Sequence, residues 1–340
     1  MLFLQNINKE TLMVRGSRNF TLVGVLLSAC LAYSATAQTS QLEAHFDDVL
    51  GTEVRSPESF NATYQTPLEQ QIAAVADGSR GRIGVAAIDL VSGTEISILG
   101  DQLFPMASTS KIAIAATFLD LVEKGQYSLS TELPLLIPIR SPRFSSPAAP
   151  VKEGIYMPAS ELIEIMIARS NNPATDTLLR AVGGPSAVNE WVRHLGIESF
   201  QISRDIATLV RDDGEYDPSS HIDLRDSATP KAMITLLREI YLGETLSRNS
   251  RNIILDAMSK TQTGDRRIPA QLPEALQVSH KTGSLNNTSS DVGIIESPNG
   301  HVIALAIYVT GQGSRRARED RIANIAKAIY DGFSGLSSGG

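Results

Sequence analysis

Ser108 and Lys111 are the two residues of this chain whose types and spacing first suggest chemistry. They stand three apart in Phe104-Pro105-Met106-Ala107-Ser108-Thr109-Ser110-Lys111. An apolar run from Ile112 to Val122 follows, interrupted only by Thr117 and Asp120. Such a run reads as a buried helix, ended at Gly125. Positions three apart on a helix share a face. An unpaired ammonium is costly to bury. Desolvation lowers its pKa, and a neutral amine can take a proton from a neighbouring hydroxyl. The helix N-terminus adds N–H donors and partial positive charge where an oxyanion would form. Ser108 is therefore a candidate nucleophile and Lys111 a candidate base. The competing reading is a polar first turn whose lysine reaches out to water.

Three further clusters carry usable groups. Ser170-Asn171-Asn172 falls at a break between two helical segments. A hydroxyl there can relay a proton to a leaving group, and an amide can bind a carbonyl. The structural alternative makes Asn172, before Pro173, an N-cap with proline at the first helical position. Lys281-Thr282-Gly283-Ser284 closes a strand-like run from Leu276. A strand-borne lysine and threonine facing a cleft can bind a carboxylate. Gly283 allows close backbone approach, which leaves the N–H of Ser284 available as a donor. The third cluster is the acidic stretch from Arg211 to Asp217, with Arg225-Asp226 and Thr229-Pro230 beyond it. One of its carboxylates can activate a water, or the stretch is a solvated loop. Gly335-Leu336-Ser337-Ser338-Gly339 fits an esterase pattern but lacks the strand and helix which that motif requires.

Positioning these groups needs a sizeable fold, and 340 residues can supply one or two cores. A net charge of -7, with no basic stripe, argues against a nucleic-acid partner. Arg15 and Arg18 precede an apolar run from Phe20 to Tyr33, followed by Ala35-Thr36-Ala37, so residues 1–37 read as an export signal. Leu27-Ser28-Ala29-Cys30 offers an alternative lipid anchor on Cys30, the single cysteine. Cleavage after Ala37 removes it, and then neither a thiol nor a thiolate metal site remains. The five histidines are not paired at metal-ligand spacing, so no metal or cofactor is expected.

Residues 38–66 read as a lead-in, and Pro67 to Ala76 as a helix. Arg82–Leu90 and Thr94–Leu99 read as a hairpin. The proline-rich residues 125–157 read as a long irregular connection. Ser160 is the expected cap of a helix to Arg169, and helices follow to Ala181 and over Ser186–Leu195. Residues 196–229 read as an extended surface loop. Lys231–Tyr241 and Ile253–Met258 read as helices. Strands are expected at Leu276–Lys281, Asp291–Ile295 and Val302–Val309, then a helix from about Arg316 to Ile329 and a flexible tail over 332–340. The order implies an α/β (α+β) fold. Its antiparallel five-stranded sheet comes from the N- and C-terminal segments (67–107 and 270–331), is flanked by helices, and carries a mainly helical middle lobe over 108–269. The cleft between lobes is the natural site.

Taken together, Ser-x-x-Lys, Ser-x-Asn and Lys-Thr-Gly in this order resemble the penicillin-recognising serine enzymes, and the wider text over residues 67–331 resembles class A β-lactamases. The resemblance implies a serine hydrolase that opens β-lactam rings and then hydrolyses the acyl-enzyme. Its rivals are a D,D-peptidase-like enzyme acting on cell-wall peptide and an acylated sensor. By the same resemblance Ser108 is acylated, Lys111 is its proton partner and Ser170 passes a proton to the ring nitrogen. Asn172 holds the substrate amide. Lys281 and Thr282 bind its carboxylate, Gly283 gives the close approach, and the N–H groups of Ser108 and Ser284 form the oxyanion hole. Two departures stand out. The middle motif is Ser-Asn-Asn rather than Ser-Asp-Asn. The family's Glu-x-x-Leu-Asn, source of the deacylating glutamate, is absent. Arg211 and Asp226 have the separation of the ion pair that pins the family's loop, which puts Asp213 in the glutamate's place, with Glu215 the nearest glutamate. Arg315 and Arg316 are possible extra carboxylate ligands.

Overall fold

A computed structural model describes residues 52–53, 64, 66–76 and 80–336. The export signal, the lipid box at Cys30, most of the lead-in and the last residues of the tail lie outside them. Helix α1 (Pro67–Val75) begins with a reciprocal capping box between Thr66 and Glu69. Strands β1 (Ile83–Asp89) and β2 (Glu95–Ile98) form the expected hairpin. Helix α2 (Lys111–Glu123) is the predicted buried helix, its residues from Lys111 to Leu119 all inside. Strands β3 (Glu132–Pro138) and β4 (Val151–Pro158) pair with each other. The helical block is α3 (Ala159–Ala168), α4 (Asn172–Ala181), α5 (Pro185–His194), α6 (Ile206–Arg211), α7 (Pro230–Leu242) and α8 (Arg248–Ser259). Strands β5 (Gln277–Leu285), β6 (Thr288–Glu296) and β7 (Val302–Thr310) and helix α9 (Arg315–Leu336) complete the order.

The main sheet is five-stranded and antiparallel, in the order β5-β6-β7-β1-β2. Period-two alternation sorts its side chains into two cores. Ile83, Val85, Ala87, Leu305, Ile307 and Val309 pack toward α1 and α9. Ala86, Ile88, Val292, Ile294, Ala306 and Tyr308 pack into the larger core around α2. Ala113, Ala115 and Ala116 keep α2 slim, and α3, α4, α5 and α8 pack against it. The Ser108 segment is thereby fixed at the N-terminal end of the buried helix α2.

Several expectations are corrected. Residues 125–157 are not an irregular connection, because β3 and β4 form a separate two-stranded ribbon, with a register shift between Pro134 and Leu136. Both strands of a lone ribbon are edges, where proline's missing N–H is tolerated. Residues 196–229 are not a bare surface loop. They hold α6 and short strands, and they bury Ile202, Ile206, Leu209, Ile222 and Ala228. Ser160 does not cap α3; Pro158 occupies that position and no side chain caps the helix. The last helix runs on to Leu336 because Phe333, 2% exposed, anchors it in the core beneath the sheet.

Gly84 shows how tightly the sheet meets the segment leading into Ser108. A Cβ there would sit 2.3 Å from Cε2 of Phe104. That ring cannot swing away, because it stacks on Tyr308 at 5.8 Å and lies under the Arg82 guanidinium at 4.5 Å. Gly84→Ala should therefore cost about 1–3 kcal/mol by overpacking, read as a lowered urea midpoint at unchanged slope.

Candidate active site

Ser108 sits in a 3-10 turn (Ala107–Ser110) that feeds directly into α2. Ala107 has φ +50°, a left-handed conformation that strains a residue with a Cβ. Two contacts hold this turn in place. Met106 N–H donates to the carbonyl of Asp226 at 3.0 Å. Phe104–Pro105 pairs with Ser227–Ala228, which also pairs with Phe200–Gln201. Ser108 is partly exposed while Lys111 is fully buried.

The Lys111 Nζ donates to the Ser170 carbonyl at 2.8 Å, to Ser170 Oγ at 3.2 Å and to Asn172 Oδ1 at 2.8 Å. Burial and the cation of Lys281 push its pKa well below the ordinary lysine value. Lys281 Nζ, also buried, donates to the same Ser170 Oγ at 3.0 Å and to the carbonyl of Thr282 at 2.9 Å. Burial lowers its pKa to about 7, with Asp291 raising it and Arg267 lowering it further. One hydroxyl thus bridges two lysines that lie 170 positions apart in sequence. The turn between α3 and α4 presents it through Ser170, at φ +55°. The cap of α4 is Asn171, whose side chain accepts from Ala174 N–H at 2.8 Å. Asn172 is the first helical residue and its amide is spent on Lys111, so the capping alternative for Asn172 does not hold.

Lys281, Thr282, Gly283 and Ser284 lie inside β5, which extends to Leu285, and not at a strand end. A Cβ on Gly283 would fall 2.6 Å from the Met106 carbonyl and 3.2 Å from Cβ of Ala107. Its bare backbone lets β5 lie against the turn that carries Ser108. Thr282 Oγ1 shares a hydrogen bond with Thr263 at 2.6 Å. Arg267, which the sequence reading passed over, is 1% exposed behind this strand. It donates to the carbonyls of Gly283 and Ser290 at 2.8 Å and to Ser284 Oγ at 2.7 Å. Arg315 and Arg316 instead pair with Glu319 and Asp320 on their own helix.

The acidic loop takes a different register from the expected one. Arg211 pairs with its neighbour Asp212 at 2.7 Å and also holds the Ser146 carbonyl. Asp226 pairs instead with Arg204 at 2.6 Å and accepts from the N–H groups of Ser203 and Arg204. Sequence separation favoured Arg211, but that arginine ends α6 and reaches Ser146 at the tip of the β3–β4 ribbon. Asp213 accepts from Asn286 N–H at 2.8 Å, at the β5–β6 turn, and burial raises its pKa. Glu215 pairs with Arg225 at 2.8 Å. Asp176, also passed over, accepts from the N–H groups of Ile206 and Ala207 at 2.7 and 2.9 Å, and burial lifts its pKa to about 7. No sequence signal marks it, since its partners lie about 30 residues away.

Asp226 joins the loop's ends to the turn that carries Ser108. Asp226→Ala would leave Arg204 and two backbone N–H groups without their acceptor. A loss of about 3 kcal/mol is expected, visible as a lower Tm together with faster proteolysis between Ile206 and Arg225.

The Beta-lactamase enzyme family model matches residues 67–333. Among curated proteins, β-lactamase CTX-M-4 of Salmonella typhimurium is 31% identical over 272 residues, covering 78% of this chain and 89% of that protein. Extended-spectrum β-lactamase PER-1 of Pseudomonas aeruginosa is 26% identical over 285 residues, 80% of this chain and 89% of that one. Among solved structures, a β-lactamase from Chitinophaga pinensis superposes with a TM-score of 0.69 at 28% identity, over 79% of this chain and 100% of that one. An ancestral class A β-lactamase of Gram-negative bacteria gives 0.67 at 33% identity, over 78% and 100%.

Proposed function

The chain belongs to the β-lactamase enzyme family, and from that membership we propose that it opens β-lactam rings through an acyl-enzyme on Ser108. The observation that carries this reading is the Ser170 hydroxyl held between Lys111 and Lys281, beside the turn bearing Ser108. In the proposed reaction the Ser108 oxygen bonds to the ring carbonyl carbon and gives its proton to neutral Lys111. The developing oxyanion is met by the N–H groups of Ser108 and Ser284, a type of contact whose loss typically costs about 10²–10³ in rate. The carbonyl–nitrogen bond then breaks. Ser170 delivers a proton to the departing nitrogen and is resupplied by Lys111 through their hydrogen bond. Lys281 and Thr282 hold the substrate carboxylate, and Asn172 its side-chain amide. Attack of water on the ester completes hydrolysis.

Export through residues 1–37 belongs to the same reading. Among the described residues no helix is long and apolar enough to cross a membrane. The test is ring opening of a chromogenic cephalosporin by the purified mature chain. The reading predicts opening that a non-hydrolysable boronate blocks. An unchanged absorbance with enzyme in excess would overturn it.

A further inference from the structure

The Arg204–Asp226 clamp changes which residue stands where the family's water-activating glutamate would be. That glutamate comes two positions after the loop arginine, in Glu-x-x-Leu-Asn. Counted from Arg204, the stretch is Ile206-Ala207-Thr208-Leu209-Val210. The leucine is kept, the carboxylate is an isoleucine and the asparagine is a valine. Ile206 is 5% exposed. With Asn172, Asp176, Ala207, Val210 and Arg211 it lines a cavity of about 350 Å³. At Ile206, Ala207 and Val210 the loop gives that cavity an apolar lining, beside the amide bound to Lys111.

Each neighbouring carboxylate already holds hydrogen-bond or ion-pair partners. Both oxygens of Asp176 accept backbone N–H groups of α6. Asp205 caps the same helix through Thr208 N–H. Asp212 is held by Arg211, Asp213 by Asn286 and Glu215 by Arg225.

We propose that the acyl-enzyme on Ser108 is long-lived in this protein, because Ile206 presents a hydrocarbon where the attacking water needs a proton acceptor. The proposal rests on the acylation reading above. In deacylation the water oxygen bonds to the ester carbonyl carbon, the bond from that carbon to Ser108 Oγ breaks, and the water must lose a proton. Lys111, left neutral once the ring nitrogen has been protonated, takes that proton and returns it to the departing Ser108 Oγ. A positioned general base is typically worth about 10²–10⁴ in rate, so capture of the β-lactam should outrun release by at least about 10²-fold.

Stopped-flow mixing of a chromogenic cephalosporin with micromolar full-length mature protein tests this, with intact-mass spectrometry on samples quenched during the steady phase. The expected result is a burst of one ring opened per chain, a slow steady phase, and chains carrying the adduct mass throughout that phase. Ile206→Glu should speed the steady phase tenfold or more and leave the burst rate constant unchanged. Linear turnover without a burst, by chains of unmodified mass, would overturn the proposal even if the variant fails to fold. A folded Ile206→Glu with an unchanged steady phase would overturn the cause assigned to Ile206. If no burst, adduct or turnover appears, the acylation reading itself fails, which is a distinct result.

Discussion

Ser108→Ala should remove covalent capture of β-lactams and cut ring opening by about 10⁴–10⁶, the range seen when the nucleophile of a coupled catalytic group is deleted. The fold should not change, because Ser108 is partly exposed while its neighbours Ala107, Thr109 and Ser110 are the buried members of the turn. Thr109 and Ser110 spend their hydroxyls on the carbonyls of Met106 and Ala107, so neither is free to replace the lost oxygen. Substrate should still bind, since Lys281, Thr282 and Asn172 are untouched. A fluorescent penicillin resolved on a denaturing gel reads the loss of capture. Equilibrium binding of the same probe to the folded variant reads the retained affinity. Labelling of the variant at full intensity would remove Ser108 from the mechanism.

Lys281 should give the second large effect, in two forms. Lys281→Ala deletes a buried cation that donates to Ser170 Oγ and, in the proposed mechanism, holds the substrate carboxylate. Truncating one member of a desolvated charged contact costs about 2–5 kcal/mol. The expected fall in kcat/KM is therefore about 10²–10³, much of it in KM. The pH profile carries the other form. The free protein's Lys281 has a pKa of about 7, and only its protonated form is a cation for the carboxylate. kcat/KM should thus fall as pH rises through about 7, since that parameter reports the free enzyme. Loss of the proton of Lys111, whose pKa burial and the cation of Lys281 lower, acts in the opposite sense and raises kcat/KM as pH rises. Lys281→Arg, which stays charged, should lower the plateau and move the alkaline limb out of range. An alkaline limb at the same pH in Lys281→Arg would assign it to another group.

The parts of the site legible in the sequence are those whose geometry is local. Ser108 and Lys111 share a face because a helix puts them there. Lys281 to Ser284 share a strand for the same kind of reason. The convergence of these groups on Ser170 was reached through the spaced motifs and their resemblance, and the hydrogen bonds from both lysines to one hydroxyl match it. The five-stranded sheet was legible too, because its strands are apolar runs of strand length.

The parts that escaped depend on partners chosen in three dimensions. The claims of Arg204 and Arg211 on Asp226 look alike in a sequence, and separation favoured the wrong one. Short α6, which starts two residues after Arg204, ends at Arg211 and is held at its start by Asp205 and Asp176, decides the pairing. Prolines in β3 and β4 masked a ribbon, because proline reads as a breaker unless both strands are known to be edges. Asn172 lost its expected capping role for a comparable reason. Its neighbour Asn171 faces the helix end, which leaves Asn172 to face Lys111.

The central claim is that Ser108 becomes covalently bound to the substrate. Peptide mapping of the protein, quenched in acid seconds after mixing with a penicillin, tests it most directly. The account predicts one adduct per chain, with the mass of the intact penicillin, on the peptide containing Ser108. An adduct on a different residue, or full consumption of the penicillin by a chain never found modified, would contradict it.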